Sequence, residues 1–350
     1  MKNIIKNARE QKGLMIREVA QALGIDQALV SKFESGIRKP TKEQVIKLAS
    51  ILDLDVNELL VAWMKEKILY EIGDDDLALK AIMAAEAEIK YKVEKKVKVT
   101  VPKKLKSILA EIDKLKKQLN KFRHLDSYRI AQALELEYTF ESNRIEGNTL
   151  TLQETDLIIN EGLTISGKSM REHLEAINHK EAIDYVKYLI EKKSVLNERE
   201  VLTIHNLILR GIDQANAGKY RSVQVMIKGS KHLPPQPFLV AKQMEDYYLW
   251  YETNKNILHP VLLAAEMHER LVTIHPFIDG NGRTSRLVMN LVLLKHGYVI
   301  ANIKGDTASR MRYYNALETA QVENDKNIFF EFIAENELEA ITRYVEIISK

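Results

Sequence analysis

Apolar residues recur at helical spacing along most of the chain and strand-like alternation is rare, so the pattern predicts a mostly α-helical protein. Between Lys2 and Met64 the punctuation is dense. Gly13, Gly24, Gly36 and Pro40 separate four short apolar-periodic segments, and a fifth follows Asp55, which predicts a compact module of five short helices. Further on, Leu105, Ile108, Leu109, Ile112, Leu115, Leu119 and Phe122 recur at helical spacing after Pro102, whose missing N–H suits the first residue of a helix. A second, mostly helical domain begins there and runs to the C-terminus. The intervening KYKVEKKVKVTVPKKLK is lysine-rich, with Val97, Val99 and Val101 alternating, and reads as a linker with room for a short strand. The expected organisation is a module over 1–66, a linker over 67–102 and a larger domain over 103–350. Within the latter, Val223, Val225 and Ile227 alternate before Gly229 and the chain returns toward Pro234, which predicts a short β-hairpin.

Composition narrows the class. The chain has 350 residues, a net charge of +3, and no Cys, which removes disulfide frameworks and thiolate metal sites. No segment supplies the ~20 consecutive apolar residues of a membrane span, and MKNIIKNAREQKG lacks the apolar core of a signal peptide. A cytoplasmic protein without membrane partners is expected.

The segment REVAQALGIDQALVSKFESG places Val19, Ala20 and Leu23 inward on one helix, a turn at Gly24, and Leu29, Val30 and Phe33 inward on the next, with Asp26 as a cap. Gln27, Ala28, Ser31 and Lys32 are left on the outer face, where such residues suit base edges and phosphates. Residues 1–50 carry ten Lys or Arg against five Asp or Glu, concentrating positive charge where DNA binding needs it. A small bundle that only docks another protein or dimerises is the plainer alternative. LGIDQALVSKFESGIRKPTKEQVIKLASILDLDVNELL resembles the phage-repressor-type helix-turn-helix family over about the first sixty residues. That resemblance implies binding of double-stranded DNA as a homo-dimer, with Arg38 and Lys39 of the S-K-x-E-x-G-x-R-x-P stretch near the backbone. One departure is Ile16, where the family often has Gln.

Gly162, Gly167, Lys168 and Ser169 match G-x-x-x-x-G-K-[ST], the phosphate loop of many nucleotide hydrolases. The preceding TLQETDLIINEG opens on a Thr151–Glu154 capping box and reads as a helix, where the motif requires a strand. The segment is expected to be a connection between helices.

The densest chemical signal is IHPFIDGNGRTSRLVMNLVLLKHG. Leu287, Val288, Leu291 and Leu294 keep helical spacing from Thr284, so Gly280, Asn281 and Gly282 fall at a helix N-terminus, where free N–H groups and the helix dipole form an anion site. Arg283 and Arg286 lie three apart on one face, suited to phosphate oxygens. Asp279 would repel phosphates unless a bridging Mg²⁺ (or Mn²⁺) reconciled them. His275, with a pKa near neutrality, can take a proton from an attacking hydroxyl.

This segment matches the Fic family motif H-x-F-x-[DE]-G-N-G-R-x-x-R without a mismatch, and similarity extends from Ala131 to Gln321. The resemblance implies a mostly helical core that transfers AMP from ATP to a Ser, Thr or Tyr hydroxyl of a target protein, releasing pyrophosphate. By position, His275 would be general base and Asp279 the metal ligand. Gly280, Asn281, Gly282, Arg283, Thr284, Ser285 and Arg286 would hold the phosphates. Ile227, Lys228, Gly229 and Ser230 in the hairpin flap would lie beside the nucleotide, and the flap's edge would hold a target segment by main-chain pairing. An ordinary surface hairpin accounts for the same pattern. Tyr313, Tyr314 and Gln321 would border the base, although an amphipathic core helix explains them as well.

Ser142, Glu146 and Gly147 form S-x-x-x-E-G near the end of a helix, resembling the inhibitory motif of Fic proteins whose brake precedes the core. Glu146 would then pair with Arg286 and turn ATP into an unreactive pose. In some relatives the same glutamate supports removal of AMP, so de-AMPylation is a second activity to consider. The expectation is an autoinhibited protein adenylyltransferase with a DNA-binding module. The alternative is a transcriptional regulator whose Fic domain senses ATP or controls assembly. A kinase activity, as in death-on-curing relatives, is disfavoured because their loop carries Lys where this chain has Gly282.

Overall fold

The computed structural model describes residues 1–73, 77–83, 85–86, 101–122 and 128–349. The chain divides into two units, Met1–Lys98 and Val99–Lys350. Of the expected linker strand, Val97 and Val99 lie outside the described residues.

The first unit contains α1 (Lys2–Gln11), α2 (Ile16–Leu23), α3 (Gln27–Ser35), α4 (Lys42–Leu52) and α5 (Val56–Ile72). Its core gathers Ile5, Val19, Val30, Phe33, Val45, Leu48 and Leu59. The turn between α2 and α3 is made by Gly24 in the left-handed region and by Asp26, whose carboxylate accepts the Ala28 N–H at 2.6 Å. Arg9 pairs with Glu34 and donates to the Leu14 carbonyl, pinning α1 to α3. The last helix runs on to Ile72.

The second unit is also helical: α6 (Lys103–Phe122), α7 (Tyr128–Ile145), α8 (Leu152–Glu161), α9 (Met170–Glu191), α10 (Glu198–Leu209), α11 (Pro237–Asn254), α12 (Pro260–Ile274), α13 (Asn281–Lys295), α14 (Thr307–Val322) and α15 (Asn327–Ile348). The α12–α13 hairpin is its centre. Both helices are buried nearly all round, as expected for elements that receive neighbours on every side. Helices α7, α9 and α10 pack on α13, while α11, α14 and α15 pack on α12. The loop between α12 and α13 is the H-x-F-x-D-G-N-G stretch. Thr151 and Glu154 form the expected capping box at α8, Gly162 ends that helix, and Lys168 Nζ donates to the Thr149 carbonyl at 2.6 Å, so the Walker-like match is a helix connection.

The expected β-hairpin at Val223–Pro234 does not form, and no strand occurs among the described residues. The segment is a loop that turns at Lys228–Gly229, with Ser230 N donating to the Ile227 carbonyl. Its legs are held by side chains instead of a ladder. Gln224 donates to the Pro234 carbonyl at 2.9 Å, and Arg221 to the carbonyls of Val223 and Pro235. Pro234 and Pro235 offer no N–H, and an isolated two-stranded ribbon is marginal in water.

Candidate functional site

Phe277 anchors the α12–α13 loop at zero exposure, stacked on the His205 ring at 3.6 Å between centroids. Asn281 folds back across it, its amide donating to the Phe277 carbonyl and its oxygen accepting the Phe277 N–H. His205 receives the Gly218 N–H on Nδ1 and so donates from Nε2 to the Asp279 carbonyl at 2.9 Å. Burial pushes its pKa down to about 4, which keeps the ring neutral and this tautomer fixed. Sequence reasoning missed His205. It lies seventy residues upstream among Ile204 and Ile208, with no local signal to separate it from a core position.

His275 ends α12 with φ +50°, a conformation uncommon for non-glycine residues that costs of order 1 kcal/mol or more. Arg221, also missed, holds it there: its Nε donates to the His275 carbonyl at 2.8 Å, and its backbone N–H to that of Pro276. The His275 Nδ1 lies 3.3 Å from the Val272 carbonyl, which directs the proton to Nδ1 and leaves Nε2 as acceptor. Burial lowers the imidazole to about 4, with the positive charge of Arg221 adding to the effect. A polyphosphate brought beside it would raise that value by Coulombic attraction for the imidazolium.

Helix α13 begins at Asn281 with Gly280 in the left-handed region. Its first N–H groups have no acceptor inside the helix. The Glu146 carboxylate sits at this end: a side chain added at Gly282 would overlap Glu146 Oε1 and lie 3.1 Å from Arg286 Nη1. Arg286 is 1% exposed, donating from Nη2 to Glu146 at 2.7 Å and to the Ser142 carbonyl, and from Nε to the Ser142 hydroxyl. Burial works against its charge, but Glu146 outweighs burial and holds the pKa above the ordinary arginine value. Its Nη1 is buried without a partner. Gly147 completes the placement, closing α7 with a Schellman turn in which Gly147 N donates to the Arg144 carbonyl and Asn148 N to that of Asn143.

Asp279 Oδ1 accepts the Gly280 N–H, and Oδ2 accepts from Arg171 at 2.7 Å. Arg283, 2% exposed, lies between Asp279 and Glu175. Burial raises the Asp279 pKa, but Arg283, the Gly280 N–H and Arg171 together hold it below the usual carboxylate range. Among the described residues no group of three or more His, Cys, Asp or Glu is gathered for a metal. A lone carboxylate does not fit a resident metal. It does fit Mg²⁺ or Mn²⁺ that arrives with phosphate oxygens and water as its other ligands.

The remaining expected residues divide. Ser285 donates to the Gly282 carbonyl and Thr284 is fully buried, so both stiffen the first turn of α13. Ile227, Lys228, Gly229 and Ser230 form the tip of the loop, which is tied down by His232 on the Thr273 carbonyl and by Lys231 on Glu318 of α14. Gln321 reaches Thr273 at 3.1 Å, and Tyr314, partly exposed, donates to the Ile145 carbonyl next to Glu146. Tyr313 differs: it is 2% exposed, bonded to His268 and packed on Phe332, and stands in the core instead of on an open rim. In the first unit, Gln27, Ala28, Ser31, Lys32 and Arg38 are exposed, whereas Lys39 donates to the Glu66 carbonyl and lies over Tyr70.

Comparison with known proteins agrees with this division. The Fic/DOC family profile matches residues 195–293 and the helix-turn-helix profile residues 5–59. A protein adenylyltransferase Fic of Nematostella vectensis is 39% identical over 200 residues, covering 57% of this chain and 46% of the relative. The chain spans less than half the length of that relative. A Fic-domain-containing signaling protein of Bacteroides thetaiotaomicron superposes with a TM-score of 0.62 at 27% identity, over 68% of this chain and 98% of that one. Fic-1 of C. elegans shares the fold, with a TM-score of 0.63 at 23% identity over 99% and 97% of the two chains. This chain joins a helix-turn-helix domain to a Fic/DOC family domain.

Proposed function

We propose that the protein transfers AMP from ATP to a hydroxyl side chain of a target protein and of itself, and that Glu146 restrains the reaction. One observation carries this: a carboxylate occupies the anion site at the N-terminus of α13, bonded to a buried Arg286 whose other nitrogen lacks a partner. An unpaired buried guanidinium nitrogen costs free energy that a phosphate oxygen would recover. With Glu146 moved aside, the N–H groups of α13, Arg283 and Arg286 would grip the polyphosphate, and His275 Nε2 would take the proton of the attacking hydroxyl. The chain Arg221–His275–Pro276 fixes the direction of that ring. Asp279 would hold Mg²⁺ or Mn²⁺ together with the phosphates, which supplies charge neutralisation there. The 223–234 loop would cover the nucleotide and receive the target segment.

The first unit we assign to double-stranded DNA, read as a homo-dimer in the cytoplasm, with Gln27, Ala28, Ser31 and Lys32 on the exposed face of α3. The boundaries 1–66 and 103–350 belong to the same proposal. Removal of AMP by the Glu146-bearing site remains part of this reading as a reverse activity. That no described helix is long and apolar enough to cross a membrane is consistent with it.

The test of the chemistry uses ATP labelled at the α or the γ phosphate. Label from the α position should enter protein, label from the γ position should not, and His275→Ala should lose it. Transfer of γ label would mean a kinase. No transfer with operator binding intact would favour the regulator reading.

A further inference from the structure

Behind the helix that carries Glu146 lies a cavity of ≈ 300 Å³ between α7, α15 and the extended segment 298–304. Leu134 and Phe140 of α7, Leu119 of α6, Ile300 and Ala340 form much of its wall. The last cavity-lining residue of α7, Glu141, stands a little over one turn before Glu146. We infer that this cavity is a second binding site, for an uncharged flat apolar molecule bearing one N–H or O–H donor, and that its occupation holds the Glu146 helix in place.

The chemistry of the ligand follows from the lining. Its volume falls within the range of small-molecule sites, and an apolar wall offers water few partners. Every carboxylate at the rim is already engaged: Glu137 with Arg343, Glu339 with Lys304, Glu135 with Lys187, and Glu141 with the Gly305 N–H. No charge is left to pair with an ion, so the ligand is neutral. One buried acceptor, Asn302 Oδ1, has no hydrogen bond and asks for a single donor. The Arg343–Glu137 and Lys304–Glu339 pairs at the mouth are exposed, and such pairs are worth roughly 0–1 kcal/mol, so entry is inexpensive.

The direction of the effect follows from which state contains the cavity. It is formed while Glu146 is bonded to Arg286, and a ligand shifts an equilibrium toward the arrangement that it binds better. Filling it should therefore favour the restrained form. The binding claim stands alone, while the effect on activity rests on the reading of Glu146 as a brake.

Indole is a suitable probe, being flat, apolar and neutral with one N–H. Titrated into the full chain by calorimetry, it should bind saturably, one per chain. Benzothiophene, with the same shape and no donor, should bind roughly fivefold more weakly, the worth of one hydrogen bond. Ala340→Phe and Ala131→Leu fill the cavity from opposite walls and should each abolish binding. Saturating indole should lower self-labelling by wild type, by roughly tenfold where the restrained form binds it ten times better, and leave Glu146→Gly unaffected. Absence of saturable binding, equal affinity for benzothiophene, or undiminished binding in the filled variants would overturn the site. Binding without a change in wild-type labelling would overturn the coupling. A Glu146→Gly protein no more active than wild type would instead sink the brake reading and leave the binding result standing.

Discussion

Arg286 Nη2 donates to Glu146 Oε1 at 2.7 Å while the neighbouring Nη1 of the same guanidinium is buried with no acceptor. The pair joins residues 140 positions apart, from the end of α7 to the first turn of α13, and it is satisfied on one side only. A site built for the carboxylate alone would leave no such vacancy. The arrangement is that of an anion pocket larger than its present occupant.

Gly305 predicts how the pair is held. A Cβ there would lie 2.9 Å from Arg144 Cβ and 2.9 Å from the Glu141 carbonyl oxygen, both in the last turns of α7. The Gly305 N–H also donates to the Glu141 carboxylate at 2.7 Å. Gly305→Ala must push that turn away, carrying Glu146 off Arg286. Self-labelling should rise several-fold in this variant and show no further rise when combined with Glu146→Gly. An unchanged rate would mean that α7 is seated by other contacts.

His205 predicts a positioning effect. His205→Ala removes the ring beneath Phe277 and leaves the Gly218 N–H and the Asp279 carbonyl unpaired. A loss of about 2–4 kcal/mol in stability is expected from cavity and orphaned polar groups together. His205→Asn should restore part of the stability, because an amide can still donate to Asp279. In the Glu146→Gly background the Ala variant should lower kcat more than it raises KM for ATP, since the loop geometry at Asp279 and His275 is what moves. Urea unfolding and steady-state labelling read both quantities.

The buried histidines set a pH dependence. His275 and His205 are pushed down to about 4 by burial, and buried His179 and His268 lie well below 6.5. In the unfolded chain each would titrate near the ordinary value of about 6.5. Between those values the unfolded state binds more protons than the folded one, so stability is full above pH 6.5 and falls as the pH drops toward 4. The urea midpoint should decline steadily from pH 7 to pH 4.5. Transfer by the free enzyme should show no loss centred on pH 6.5, because His275 remains a neutral acceptor there. A midpoint that stays level over this range would contradict the assigned burial of these rings.

In the first unit, replacement of Gln27 and Lys32 by Ala should weaken retention of DNA from the region upstream of the coding sequence and reduce its salt dependence, with AMP transfer unchanged. Lys39→Ala should matter less, since its ammonium is already held by the Glu66 carbonyl and the Tyr70 ring. Equal loss from Lys39→Ala would show that this contact opens on DNA.

Much of this site could be read from residue order because its chemistry is local. His275 to Arg286 fall within twelve positions, and a helix start with two glycines and two arginines on one face states its purpose without tertiary information. Glu146 was legible only through its partner, as a motif that needed Arg286 to make sense. What stayed hidden came from far along the chain. His205, Arg221 and Arg171 act on the loop through single backbone or carboxylate contacts, and nothing in their neighbourhood distinguishes them from core or surface residues. The hairpin failed for a related reason: alternation at 223–227 signals an extended chain, but pairing needs a partner strand, and Pro234 with Pro235 cannot supply the donors.

The most direct measurement is self-labelling from α-labelled ATP with Mg²⁺ in four proteins: wild type, Glu146→Gly, His275→Ala and the double variant. Glu146→Gly should label well above wild type, at a cost of about 1–3 kcal/mol in stability from the broken pair, and adding His275→Ala should return labelling to background. Labelling by Glu146→Gly no greater than wild type, or labelling that survives loss of His275, would contradict the account.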